Sequence, residues 1–130
     1  MTYRLIIDGR LPGLNDYQLA CRSHYQKGGK MKKQQVAVVS MYILQQLKDV
    51  HIDKKVEINY KWYEQNKKRD LDNVSSFGRK CIQDALVETG VLKNDGWKNI
   101  IGFSDKFYID KENPRIEVEI IESENNLDKE

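Results

Sequence analysis

Four stretches of the chain alternate between apolar and polar positions, as expected of β-strands with one buried face. The clearest is residues 54–63, where the apolar side chains from Val56 to Trp62 fall on every second position. The other three stretches are residues 2–8, 100–109 and 115–121. Clusters of Gly, Pro, Asn and Asp, which favour turns, follow residues 2–8 and residues 100–109. The pattern therefore predicts four strands.

Three further stretches repeat apolar residues at intervals of three and four, which is typical of amphipathic helices. They are residues 15–24, 32–48 and 73–88. We expect Gly28-Gly29 to interrupt the chain between the first two, and Gly90 to end the third. The order strand, helix, helix, strand, helix, strand, strand predicts an α+β domain. In this domain, helices pack on a small mixed sheet of about four strands.

Composition narrows the class of protein. The chain has 130 residues, of which 39% are apolar and 32% charged, and this suits one domain. No apolar run is long enough to cross a bilayer, and the first residues are too short in their apolar part for a secretory signal. Cys21 and Cys81 fit neither a disulfide framework nor a zinc site. The chain has only two histidines, which excludes metal sites built on several histidines. We expect a reducing, cytoplasmic location.

Charge is distributed unevenly along the chain. Residues 122–130 hold four acidic residues and one lysine, so the net charge of +2 for the whole chain leaves +5 on residues 1–121. We expect residues 1–121 to form a single domain and residues 122–130 an acidic, solvated tail. The basic residues form two clusters, which are Arg22, Lys27, Lys30, Lys32 and Lys33, and Lys67, Lys68 and Arg69. Such clusters occur both on solvated surfaces and where nucleic acid phosphates bind, so charge alone leaves both open.

The acidic residues of segment 69–73 are candidates for a metal-binding site. In an extended chain Asp70 and Asp72 would point the same way, with Leu71 turned towards the core. Carboxylates this close repel each other unless a cation lies between them, and hard oxygen ligands suit Mg²⁺ or Mn²⁺. The alternative is that one aspartate simply caps the third helix. A third carboxylate, Asp95, stands in an Asp-Gly turn after that helix, and this turn can also be purely structural.

The same region carries a family resemblance. Its motif residues are Asp70-Leu71-Asp72-Asn73, Arg79-Lys80, Asp84-Ala85-Leu86, Gly90 and Asn94-Asp95. Together they resemble the RusA family of Holliday-junction resolvases, which is common in prophages and bacterial genomes. The resemblance implies a homodimeric, Mg²⁺-dependent endonuclease that cuts four-way DNA junctions by paired nicks in recombination and repair. It also implies that Asp70, Asp72 and Asp95 bind the metal and that Lys80 is the catalytic lysine.

One interval departs from the family pattern. The lysine commonly follows the second aspartate by one helical turn, and here Lys80 lies about a turn further on. Eight residues of helix would place it about 12 Å along the axis from Asp72, with Arg79 closer to Asp72 in azimuth. The resemblance still makes Lys80 the expected catalytic cation, and Arg79 is the alternative. The residues expected to hold DNA phosphates are Lys27, Lys30, Lys32, Lys33, Lys67, Lys68, Arg69 and Arg79.

Two other functions fit the residues. A non-catalytic protein that binds branched DNA would use the basic clusters alone, but three carboxylates without a metal would repel phosphate. A metal-dependent nuclease that prefers flaps or forks would need the same acids. The long second helix, the first strand and exposed aromatic residues are all candidates for a dimer interface, and the sequence does not choose among them.

Overall fold

The computed structural model describes residues 1–124. Its elements are β1 (Thr2–Asp8), α1 (Leu14–Ser23), α2 (Lys27–Gln46), β2 (Val56–Glu64), α3 (Leu71–Glu88), β3 (Ile100–Ile109) and β4 (Arg115–Glu122). This confirms the predicted order of elements and the α+β class. Strand β4 runs one residue beyond the prediction, because Glu122 still pairs with the sheet and accepts a hydrogen bond from Tyr3. Residues 125–130, the remainder of the predicted tail, lie outside the described residues.

The four strands form one mixed sheet in the order β1-β4-β2-β3. Strand β4 is antiparallel to both of its neighbours, whereas β2 and β3 are parallel and are connected through α3. The three helices pack against one another, and α2 and α3 contact the sheet. Strand β3 therefore forms one edge, close to the helix that carries the acidic motif.

The core lies between the sheet and the helices. Every second residue of β2 from Val56 to Trp62 is at most 1% exposed, as the alternation predicts. The indole of Trp62 stacks on Tyr60 and donates a hydrogen bond of 2.9 Å to Asp105 on β3. Burial raises the pKa of Tyr60, whose hydroxyl accepts a hydrogen bond from Gln83 of α3. The aromatic residues of β2 are thus packing residues that join the sheet to α3.

The prediction that Gly28-Gly29 interrupts the helices was wrong. Helix α2 begins at Lys27, so both glycines lie in its first turn. Gly28 is buried against α1, where a Cβ atom would overlap Sγ of Cys21, while Gly29 has open space around it. Packing between α1 and α2 requires a residue without a side chain at position 28, and this outweighs the low helix propensity of glycine.

The two edges of the sheet differ. At β1, the Gln46 side chain accepts from the backbone N–H of Ile6 and donates to its carbonyl, both at 2.8 Å, so these groups are closed to a further strand. At the other edge, within residues 1–124, β3 pairs only with β2. The large apolar residues exposed along β3 are Ile101, Phe103, Tyr108 and Ile109. No helix among the described residues is long and apolar enough to span a membrane.

Candidate active site

The first two motif acids lie at the start of α3. Asp70 is the N-cap residue, and its Oδ1 accepts a hydrogen bond of 2.8 Å from the backbone N–H of Asn73. Asp72 is in the first helical turn, where its Oδ1 accepts a hydrogen bond from Ser76 at 2.6 Å. The expectation of an extended segment was wrong, because a helix turns successive side chains by about 100° rather than 180°. Leu71 consequently is 59% exposed and does not anchor the segment in the core.

Buried ion pairs fix the chain just before these acids. Glu64, the last residue of β2, is 7% exposed and accepts hydrogen bonds from Arg69 and from Arg10. Arg69 also donates to the carbonyl of Leu11 at 3.2 Å. Its guanidinium therefore holds the acidic segment against the sheet and the loop before α1. The role of Arg69 in binding phosphate stays a prediction.

Asn73 links α3 to α1. Its Oδ1 accepts a hydrogen bond of 2.8 Å from the backbone N–H of Asn15. Gly13, the N-cap of α1, leaves room for this contact, because a Cβ there would lie 2.5 Å from the same oxygen. Asn73 thus secures the start of the helix that bears Asp72.

Lys80 lies between two carboxylates. Its Nζ is 3.1 Å from Oδ1 of Asp84 and 3.2 Å from Oδ2 of Asp95. A hydrogen bond to Asp84 is the main cause that raises the pKa of Lys80, so the side chain is an ammonium at neutral pH. Burial alone would raise the pKa of Asp84, but hydrogen bonds from Lys32 and Lys80 outweigh it and lower that pKa. The lysine and the third motif acid, fifteen positions apart, therefore meet.

Arg79, the alternative cation, is directed elsewhere. Its Nη1 lies 2.6 Å from Oδ2 of Asp105, and its guanidinium stacks 4.6 Å from the ring centre of Phe103. Asp105 is also the acceptor of the Trp62 indole. Arg79 thus joins α3 to β3, and of the two candidates it is Lys80 that contacts a motif carboxylate.

The three motif acids do not come together within one chain. Among residues 1–124, no group of three Asp, Glu, His or Cys side chains is placed to hold a metal ion. Asp70 and Asp72 lie at the start of α3, whereas Asp95 contacts Lys80, which is about 12 Å further along the helix axis from Asp72. The structure therefore separates the predicted ligands into a pair and a single residue.

Two depressions mark these positions, both between α3 and β3. One, of about 390 Å³, adjoins Asp70 and is lined by residues from the end of β3, including Phe107 and Ile109. The other, of about 240 Å³, adjoins Asp95 and is lined by residues from the start of β3, including Ile101 and Phe103. The pair and the single acid thus lie at opposite ends of one edge strand.

A family model described as Endodeoxyribonuclease RusA matches residues 13–121, which cover α1 to β4 except for the last residue of β4. The chain belongs to the RusA family. Membership points to an endodeoxyribonuclease that resolves Holliday junctions, and hence to a hydrolase acting on branched DNA. No curated protein matches the chain significantly.

The basic residues predicted to hold DNA in this RusA-family chain divide into two groups. The exposed ones are Lys27, Lys30, Lys33, Lys67 and Lys68. The others are in ion pairs with the protein's own acids, and they are Lys32 with Asp84, Arg69 with Glu64, and Arg79 with Asp105. The exposed lysines are thus the ones whose charge is directed to solvent.

Sequence reasoning missed the supporting acids Glu64 and Asp105. A signal for Glu64 was present, because it continues the series of alternate buried positions on β2 and a carboxylate there needs a partner. Asp105 had no comparable signal, since its partners come from α3 and β2. Both residues hold the elements that present the motif.

Proposed function

We propose that the chain is a divalent-metal-dependent endonuclease that cuts four-way DNA junctions by paired symmetric nicks, in DNA recombination and repair. Asp70, Asp72 and Asp95 are the metal ligands, and Lys80 is the catalytic cation. The observation that carries the proposal is the 3.2 Å contact between Lys80 and Asp95. It joins two parts of the motif that the sequence separates by the whole second half of α3 and a loop.

The donor set suits Mg²⁺, with Mn²⁺ as a substitute, because carboxylate oxygens are the ligands that these hard cations prefer. Within residues 1–124 of one chain, Asp70 and Asp72 lie at one place and Asp95 at another, and this supports a site that a second copy completes. We therefore propose that a homodimer is the active form. Each site then takes Asp70 and Asp72 from one copy and Asp95 from the other.

The edge strand β3 provides the surface on which two copies would meet to form such shared sites. The register with β2 places Phe103, Phe107 and Ile109 on the helix side of the sheet, where α3 leaves them partly uncovered. A two-fold axis near the middle of β3 exchanges the two ends of the strand. The depression at Asp70 of one copy then faces the depression at Asp95 of the other, and the exposed apolar side chains become buried.

Such a dimer also suits the substrate. A two-fold axis relates two identical sites, and a four-way junction has two strands of equivalent position to be cut. The exposed lysines Lys67 and Lys68 lie just before the acidic segment, and those of α2 flank Lys32 in the chain. They would hold phosphates on either side of the cut without reading base sequence.

Asp70, Asp72 and Asp95 would hold the divalent cation, and the cation would activate a water molecule for attack on the phosphodiester. The Lys80 ammonium donates to the developing negative charge on the scissile phosphate or the leaving oxygen. Glu64 and Arg69 keep the acidic segment in place, and Ser76 orients the carboxylate of Asp72.

The test is cleavage of a synthetic four-way junction by the full chain with Mg²⁺ and with a chelator. We expect paired nicks with the metal, and a loss of at least about 100-fold in rate for Asp72→Asn with junction binding retained. Asp53→Asn is the matched control, because Asp53 is an exposed acid outside the motif and its ion pair with Lys93 includes no motif residue. Asp72→Asn cutting as well as the unchanged protein would contradict the proposal.

A non-catalytic role in binding branched DNA is the second candidate. It is favoured by the capping role of Asp70 and by the separation of the acids within one chain. Tight junction binding with no nicks in Mg²⁺ or Mn²⁺ would establish it. Flap and fork substrates of matched sequence would show whether a nuclease prefers those structures to the four-way junction.

A further inference from the structure

Four side chains of alternating charge form a continuous line from α2 to the loop after α3. Lys32 of α2 lies 2.8 Å from Oδ2 of Asp84, whose Oδ1 lies 3.1 Å from Lys80. Lys80 in turn lies 3.2 Å from Asp95. Three separate parts of the fold thus meet through Asp84 and Lys80.

Asp84 is paired through both oxygens of its carboxylate. Each of its carboxylate oxygens has its own lysine partner, and the side chain is 23% exposed. Lys80 is 55% exposed and lies one helical turn before Asp84, at the i,i+4 spacing at which side chains on a helix meet. One oxygen of the Asp84 carboxylate therefore binds Lys32, and the other binds Lys80.

Lys80 and a divalent cation compete for the same carboxylate. If Asp95 ligates a metal, its negative charge is shared with that ion and its ion pair with Lys80 weakens. Asp84 then remains as the partner that keeps the ammonium near the acids. Without Asp84, Lys80 would pair with Asp95 alone and oppose entry of the metal.

On this basis, which rests on the proposed function, we propose that Asp84 is a positioning residue for Lys80. It draws the ammonium away from Asp95 when a divalent cation binds there, and it keeps the ammonium within reach of the phosphate. Lys32 supports it by fixing the second oxygen of the Asp84 carboxylate.

The test is a double-mutant cycle on Mn²⁺ affinity, measured by electron paramagnetic resonance of the unbound ion. The full chain is used with a four-way junction present. We expect Asp84→Asn to weaken Mn²⁺ binding about 10-fold. Lys80→Gln should strengthen it, because Asp95 loses its competing partner. In the Lys80→Gln background, Asp84→Asn should have no further effect, since Asp84 acts through the lysine.

Two comparisons separate positioning from a structural role. Asp84→Glu should restore Mn²⁺ affinity, and Asp53→Asn, which removes only the exposed ion pair with Lys93, should leave it unchanged. The inference is overturned if Asp84→Asn lowers only thermal stability, or if its effect on Mn²⁺ persists without Lys80, as it would for a direct ligand. If the unchanged protein binds no Mn²⁺, both this inference and the proposed metal site fail.

Discussion

Arg69 and Glu64 form a two-point ion pair at the junction of β2 and α3. Nε of Arg69 lies 3.1 Å from Oε1 of Glu64, and Nη2 lies 3.0 Å from Oε2. Because Arg69 immediately precedes Asp70, this pair sets the direction in which the chain enters the acidic motif. The sheet thereby positions the first turn of α3.

We predict that Glu64→Gln lowers the free energy of unfolding by about 3 kcal/mol, because Arg69 and Arg10 would lose the charge that compensates them in a largely buried place. Urea denaturation measures the change. Arg4→Gln is the control, since Arg4 is 80% exposed and pairs with Glu119 at the surface. Equal losses in the two variants would show that the buried pair stabilises the protein no more than the surface pair does.

Adjacent glycines in α2 provide a second prediction. Gly28→Ala should destabilise the protein by about 1–3 kcal/mol, because the new methyl group overlaps Cys21 and forces α1 and α2 apart. Gly29→Ala should stabilise it by about 0.5 kcal/mol, since that position is open and alanine favours a helix. Thermal unfolding of both variants checks the opposite signs. The same sign for both would contradict the close packing at position 28.

The proposed dimer surface predicts the effect of a charge on β3. Ile101 is 60% exposed in the single chain, and Ile101→Arg would place a charge in the interface between two copies. We expect sedimentation to show dimers for the unchanged protein and monomers for this variant, with unchanged circular dichroism. Met41→Arg is the control, because Met41 is 64% exposed on α2, away from β3. Dimers that survive Ile101→Arg would place the interface elsewhere.

The sequence predicted most of the fold because each element buries the face that its periodicity marks. The alternation on β2 and the apolar positions of α3 both match the observed core. The starts of the helices were less predictable. The predicted start of the third helix at residue 73 left Asp70 and Asp72 in an extended segment, but Asp70 caps the backbone N–H of Asn73 and the helix begins earlier. At Gly28, contact with another helix overrides helix propensity.

The site was predictable in its residues and not in its contacts. Helical spacing alone brings Lys80 to Asp84, but its contact with Asp95 depends on how the loop after α3 returns to the helix. Azimuth along an ideal helix favoured Arg79 as the partner of Asp72, yet Arg79 contacts Asp105 on β3. These contacts depend on partners from distant elements of the fold, and the pattern of a single sequence does not identify those partners.

The most direct measurement uses a mixed dimer, purified with two different tags, of one Asp72→Asn copy and one Asp95→Asn copy. If each site combines acids from two copies, this dimer keeps one complete site and should nick a four-way junction in Mg²⁺ at about half the rate of the unchanged dimer, without paired cuts. A mixed dimer of Asp70→Asn and Asp72→Asn has no complete site when each site takes Asp70 and Asp72 from the same copy, so it is the inactive control. An inactive Asp72→Asn/Asp95→Asn dimer, or failure to isolate any mixed dimer, would contradict the shared site.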